Sequence, residues 1–191
     1  ANSTASQTVN VVISNDVLDE NDETFTLTLT GLTATGNVTL GTAIATGTIQ
    51  DDDLPPVISI SSPSQLEGNA GNTPMNFVVS LSAVSGRDVS FTRATANGSA
   101  TLVNNDYLQL LPAAATILAG QTSLPITVQI VGDSVFEGNE NFRLDLSNIV
   151  NATIAVPPLI EGTPVVLTGT GTIEDDDQQP TTTTITSDLP D

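Results

Sequence analysis

Two runs of three aspartates, Asp51–Asp53 and Asp175–Asp177, close the segments GTIQDDD and GTIEDDD. Two carboxylates about 4 Å apart repel by about 1 kcal/mol in water and about 4 kcal/mol in a partly screened protein environment. A chain that builds this arrangement twice, at the same point of the same pattern, is arranged to hold positive charge there. Further acids precede each run at one spacing: Asp16, Glu20 and Glu23 before the first, Asp133, Glu137 and Glu140 before the second. Clustered carboxylates are the ligands of hard cations. Ca²⁺ takes six to eight oxygens and accepts bidentate or bridging carboxylates, whereas Mg²⁺ keeps its waters and prefers few protein carboxylates. Calcium is therefore the expected ion.

The rest of the composition narrows the chemistry. Three Lys+Arg against 22 Asp+Glu give a formal charge of −19 over 191 residues, so neither nucleic acid nor an anionic membrane is an expected partner. Only 13% of residues are charged and 38% are hydrophobic, which argues against a disordered acidic chain. The sequence contains no Cys, His, Lys or Trp. Disulfides, Cys/His zinc sites and the usual nucleophile–base pairs are thereby excluded. Paired carboxylates could serve a glycosidase. The same set recurs at a domain end without an aromatic lining, so no enzyme is expected. No apolar run approaches eighteen residues, so membrane insertion is not expected either.

These acids must be positioned by strands. Residues 11–30, VVISNDVLDENDETFTLTLT, align without gaps to 128–147, VQIVGDSVFEGNENFRLDLS, at an offset of 117. The DDD runs align at an offset of 124, which puts seven extra residues in the second copy, expected around Pro157, Pro158 and Gly162. TFTLTLT alternates Thr with Phe and Leu, the period-two pattern of a half-buried strand. Val9-Val11-Ile13 and Ile126-Val128-Ile130 alternate likewise, and further strands are expected at 57–61, 75–82, 89–95, 113–118 and 165–174. ANGSA at 96–100 suits a tight hairpin turn. Without a helical period anywhere, the fold class is all-β, an antiparallel β-sandwich preceded by a partial one. The organisation reads as a closing half-domain at 1–53, a short stiff link at 54–56, a complete domain at 57–177 and a Thr-rich tail at 178–191 with the character of an opening strand.

Residues 57–177 resemble the Calx-beta family. LEGNAG (66–71), TANGSAT (95–101), NNDY (104–107), LAGQTS (118–123), DSVFEGNENFRLDLS (133–147) and GTIEDDD follow in that family's order, and residues 8–53 resemble its closing half. The resemblance implies an immunoglobulin-like sandwich of seven strands with calcium at one end. It implies as ligands Glu67, Asp106, Asp133, Glu137, Glu140, Asp175, Asp176 and Asp177. A second, less complete set would be Asp16, Glu20, Glu23, Asp51, Asp52 and Asp53. Eight converging charges would be offset by about three or four Ca²⁺ ions. Tyr107, the one tyrosine, is expected to be structural.

The expected role is a structural module of a secreted or cell-surface adhesin or fibre, with calcium stiffening the domain tip and the joint. Its expected partners are neighbouring Calx-beta-like domains or identical subunits. The setting would be extracellular, where millimolar calcium keeps such sites filled. A calcium-sensing regulatory domain and an excised window of a longer repeat protein are the alternatives. A half sandwich leaves an apolar face and open strand edges, so something must cover Val9, Val11, Ile13, Phe25, Leu27 and Leu29. The tail of a neighbouring chain is one candidate, by strand addition into a head-to-tail filament.

Overall fold

The computed structural model describes residues 6–31, 33, 39, 41–155, 165–179 and 181. The chain divides into two compact units, Ala1–Leu54 and Pro55–Asp191.

In the first unit, β1 (Glu23–Thr28) and β2 (Ile44–Ile49) pair antiparallel with Phe25 opposite Gly47. A side chain at 47 would fall on the Phe25 ring, so the glycine of the GTI motif is what lets the ring lie flat across the hairpin. The strand expected at Val9–Ile13 does not form. Its residues alternate correctly, but alternation specifies a face, and a strand also needs a neighbour to accept its backbone hydrogen bonds.

The second unit supplies those neighbours. Its strands are β3 (Val57–Ile60), β4 (Ser64–Leu66), β5 (Gly71–Leu81), β6 (Val89–Asn97), β7 (Ala113–Ile117), β8 (Ser123–Gly132), β9 (Glu140–Val150), β10 (Thr153–Ile154) and β11 (Leu167–Glu174). They form two sheets, in the orders β10-β3-β5-β8 and β4-β11-β9-β6-β7. β3 and β4 are one strand interrupted at Ser61–Pro63. β3 runs antiparallel to β5 in one sheet, and β4 runs parallel to β11 in the other. The described strands of this unit are thus all β and arranged as a sandwich of two sheets.

Every second residue of the inner strands points into one core. Met75, Phe77 and Val79 of β5, Val128 and Ile130 of β8, and Phe142, Leu144 and Leu146 of β9 are all buried. Full burial of such side chains contributes about 1.5–3 kcal/mol each. Gly171 of β11 faces Phe142, repeating the Gly47–Phe25 pairing.

Other expectations shift. ANGSA is a bend, not a tight hairpin. β6 pairs with β7 only after a long connection, in which Tyr107 bridges Ile130 of the opposite sheet. The reason lies at Gly98 and Ala100. The Ala100 N–H donates to the Asn141 carbonyl, and a side chain at Gly98 would strike Asn141, so this segment is held against β9. The seven-residue insertion around Pro157, Pro158 and Gly162 lies outside the described residues, as does most of the tail.

Candidate metal centre

Sheet register brings the acids to one end of the second unit. β5 begins at Gly71 opposite Gly132, where β8 ends, and β9 begins at Glu140 opposite Ile173 near the end of β11. β6 ends at Asn97 opposite Phe142. Four connections therefore converge there: 67–70, 98–107, 133–139 and 175–177.

Each is fixed by backbone hydrogen bonding. The Glu67 N–H donates to the Glu174 carbonyl at 3.1 Å, and the Thr73 hydroxyl donates to the Glu67 carbonyl at 2.8 Å. Glu67–Gly68 lies so close to Gly132 that a Cβ at 132 would overlap both carbonyl oxygens. Asp106 is held by the Thr101 N–H at 2.6 Å, while the Val131 N–H donates to its carbonyl at 2.9 Å. The next residue, Tyr107, turns into the core, as expected of a structural tyrosine, and its hydroxyl donates to Asn97 at 2.6 Å.

Six of the eight expected residues come together as two groups. Carboxylate oxygens of Glu67, Asp175 and Asp177 lie within 4.8 Å of one another, and so do those of Asp106, Glu137 and Glu140. Asp133 is exposed, and its charge acts on both Glu67 and Glu137, joining the groups into one field. Asp176 stands apart. It is exposed and accepts from the Gly68 N–H at 3.0 Å, tying the opening loop to the closing strand.

The electrostatics show what this convergence costs. Glu67 is pushed up to about 7 by burial, then by Asp133, Asp175, Glu137 and Asp177. Glu140 is pushed up to about 7 by burial, then by its hydrogen bond to Asp106 and the charges of Asp106 and Glu137. Burial also raises Glu137. Asp175 goes the other way, held below the usual range chiefly by the N–H groups of Asp177 and Gly138, and also by that of Glu137. One atom stays unsatisfied. Asp177 Oδ2 is buried without a hydrogen-bond partner among the described residues. Such an oxygen costs about 1–3 kcal/mol unless something positive meets it. An all-oxygen set with an orphaned carboxylate oxygen aimed into it fits a hard divalent cation.

The first unit repeats part of this scaffold. The Glu137 N–H donates to Asp175 at 3.1 Å, and the Glu20 N–H donates to Asp51 at 3.2 Å. Asp177 to Asp175 at 2.9 Å is matched by Asp53 to Asp51 at 3.4 Å. Val135 to Asp133 at 2.7 Å is matched by Leu18 to Asp16 at 3.0 Å. Burial and neighbouring carboxylates raise Glu20 and Asp53. Yet among the described residues no three acids of Asp16, Glu20, Glu23, Asp51, Asp52 and Asp53 draw as close as the two groups above. The counterparts of Glu67 and Asp106 are absent from this unit.

Several contributors escape a search for acids. Asn139 accepts from the Asp175 N–H at 3.2 Å, and its counterpart Asp22 accepts from the Asp51 N–H at 3.0 Å. Asn69 donates to Asp177 at 2.6 Å. Asp19, buried in the first unit, corresponds to Phe136 in the repeat, so the alignment hides it.

The sequence model of the Calx-beta domain matches residues 1–53 and 51–177. No curated protein is significantly similar in sequence. Among solved structures, the crystal structure of CBD12 from CALX1.2 is 20% identical with a TM-score of 0.50, over 63% of this chain and 44% of that one. The apo-form Calx CBD1 domain is 21% identical with a TM-score of 0.45, over 63% of this chain and 99% of that one. The Calx CBD2 domain is 14% identical with a TM-score of 0.47, over 63% and 86%. The chain thus spans less than half the length of CBD12, and that likeness bears on the fold alone.

Proposed function

The chain belongs to the Calx-beta domain family, and from that premise we propose that it is a calcium-binding structural module of a secreted or cell-surface adhesin or fibre. The observation that carries the calcium reading is the pair of carboxylate groups at one sandwich end, with Asp177 Oδ2 buried there and without a hydrogen-bond partner among the described residues. Glu67, Asp175 and Asp177 would hold one ion and Asp106, Glu137 and Glu140 another, with Asp133 beside both. Asp176 would serve through its bond to Gly68. About three or four Ca²⁺ would offset the eight charges. The first unit's acids, Asp16, Glu20, Glu23, Asp51, Asp52 and Asp53, would complete a second site only with oxygens from elsewhere.

Bound calcium supplies positive charge and no more. The residues do the mechanical work: Asp175 fixes the 137–138 turn, Asp176 fixes the 67–68 turn, and Gly132 lets that turn lie flat. An ion that binds the folded tip and not the unfolded chain stabilises the fold by mass action, by about 2.7 kcal/mol at a hundredfold excess over Kd. Filling the first unit's tip, which ends at Asp53 beside Leu54-Pro55-Pro56, would also stiffen the joint between Calx-beta-like domains once that site is completed. Calorimetric melting of the chain with calcium and with EGTA tests this. The expected rise is about 5–10 °C, and an unchanged melting temperature overturns it. Micromolar affinity with a large conformational response would favour the sensor reading over the structural one.

A further inference from the structure

A sandwich of two open sheets has four edges, and an unpaired edge offers its row of N–H and C=O groups to another strand. Three edges of the second unit are blunted. β10 is two residues long, and β4 is three residues long and follows Pro63. β8 carries Pro125, which has no N–H to donate. Its other half is already met by the segment at Asp106–Leu108. There the Leu108 N–H donates to the Gln129 carbonyl at 2.8 Å, and the Val131 N–H donates to the Asp106 carbonyl at 2.9 Å.

The fourth edge is β7, the outer strand beside β6. Its register with β6 is regular, from Val89 opposite Ile117 to Arg93 opposite Ala113. Among the described residues no other segment pairs with it. None of the usual devices protects this edge. Ala113-Ala114-Ala115-Thr116-Ile117 contains no charge, no proline and no bulge, and no charged residue occurs anywhere between Asp106 and Asp133. Leu111 and Leu118, which flank the strand, are 68% and 61% exposed. We propose that β7 is a self-association edge, at which two copies of the chain pair β7 to β7, antiparallel about a two-fold axis with Ala115 opposite its own counterpart.

The register follows from symmetry. A two-fold axis normal to an antiparallel pair passes where a residue faces its own copy, and Ala115 is the centre of the strand. Ala114 then lies opposite Thr116, Leu111 opposite Ala119, and Leu118 opposite Pro112. Each end of the ladder gathers one exposed leucine from either copy, and two five-stranded sheets become one. Charge selects this occupant over a basic peptide, the partner that a chain of −19 would otherwise attract. The edge has no carboxylate of its own to hold a cation, and Asp88, at its Ile117 end, already accepts from the Ala119 N–H at 2.8 Å. For a second copy, the same neutrality spares two acidic molecules direct repulsion at the contact. The pair is isologous and closes at two, unlike a head-to-tail filament.

Pairing through β7 depends on sheet topology and needs no calcium. Sedimentation velocity of the whole chain, in calcium and in EGTA alike, should show monomer giving way to dimer as concentration rises to about 1 mM. Between about 0.1 M and about 1 M salt the screening length falls from about 10 Å to about 3 Å, so the dimer Kd should tighten by at least about threefold. Ala114→Lys and Thr116→Glu, each alone, should weaken dimerisation at least about tenfold and leave the melting temperature unchanged. Mixed in equal amounts, the two variants should recover it, because opposite charges then face each other across the ladder. Amide exchange at 113–117 in the unsubstituted chain should slow with concentration, and this readout stands even if a variant fails to fold. A chain that stays monomeric overturns the proposal, and so does a dimer indifferent to both substitutions. A dimer that salt weakens, or a mass that keeps growing past two, overturns it as well. A melting temperature indifferent to EGTA, with the dimer intact, would defeat only the calcium reading.

Discussion

Tyr107 stacks on Phe142 with ring centroids 4.5 Å apart and planes inclined by 15°, one residue from the buried carboxylate of Asp106. The core and the candidate metal centre therefore share a backbone segment. Tyr107→Ala should cost about 3–5 kcal/mol in urea unfolding, because it empties the largest buried side chain. It should weaken calcium binding as well, since Asp106 loses its anchor. Tyr107→Phe loses the hydroxyl's hydrogen bonding to Asn97 and Thr95, about 1–2 kcal/mol, and should leave the affinity within twofold. Equal losses from the two substitutions would detach the stack from the site.

Gly132 tests the close approach of the opening loop. Gly132→Ala places a methyl group against the Glu67 and Gly68 carbonyl oxygens, so the loop must lift. Overpacking of this kind costs about 1–3 kcal/mol. Titration calorimetry should show at least tenfold weaker calcium binding, and melting in EGTA should fall by a few degrees. Unchanged binding would mean that Glu67 is not a ligand.

Much of this was legible in the sequence, for reasons that differ by residue. Alternation in TFTLTLT and its copy exposes the strand faces, and the recurrence of Asp, Glu, Glu and DDD exposes the tip. The missing strand at Val9–Ile13 was not legible, because a strand also needs a hydrogen-bonding neighbour, and alternation does not say whether one is there. Asp175 and Asp176 look like equal neighbours of Asp177. Their roles diverge only in three dimensions, where one accepts three backbone N–H groups and the other one. Asn69 and Asn139 carry no charge to mark them. The turn from β3 into β4 was hidden as well, since Pro63 in an apolar–polar run reads as an end, not as a change of sheet.

Protonation should follow calcium. Glu67 and Glu140 are both pushed up to about 7 from an ordinary value of 4.5. Between those values the folded chain holds protons that the unfolded chain has released, so the calcium-free fold loses stability as pH rises from about 4.5 to about 7. Calcium needs both groups ionised, so its affinity should climb over the same interval and level off above it. Titrations at pH 6.5 in two buffers of different ionisation enthalpy should show proton release on binding. A heat independent of buffer would exclude both glutamates from the site.

Asp175 and Asp177 should part company on neutralisation. Asp175 Oδ2 accepts from Glu137 and Gly138 at 3.1 and 2.7 Å, and its Oδ1 accepts from Asp177 at 2.9 Å. Asp175→Asn turns one acceptor into a donor facing an N–H, so it should destabilise the chain by about 1–3 kcal/mol even in EGTA. Asp177 has the opposite balance. Its Oδ2 is buried without a hydrogen-bond partner among the described residues, and its charge helps raise Glu67. Asp177→Asn should keep or raise the melting temperature in EGTA while abolishing most of the increment that calcium gives. The two variants thus separate scaffold from ligand inside one DDD run, and a parallel response in EGTA would show that the separation is wrong.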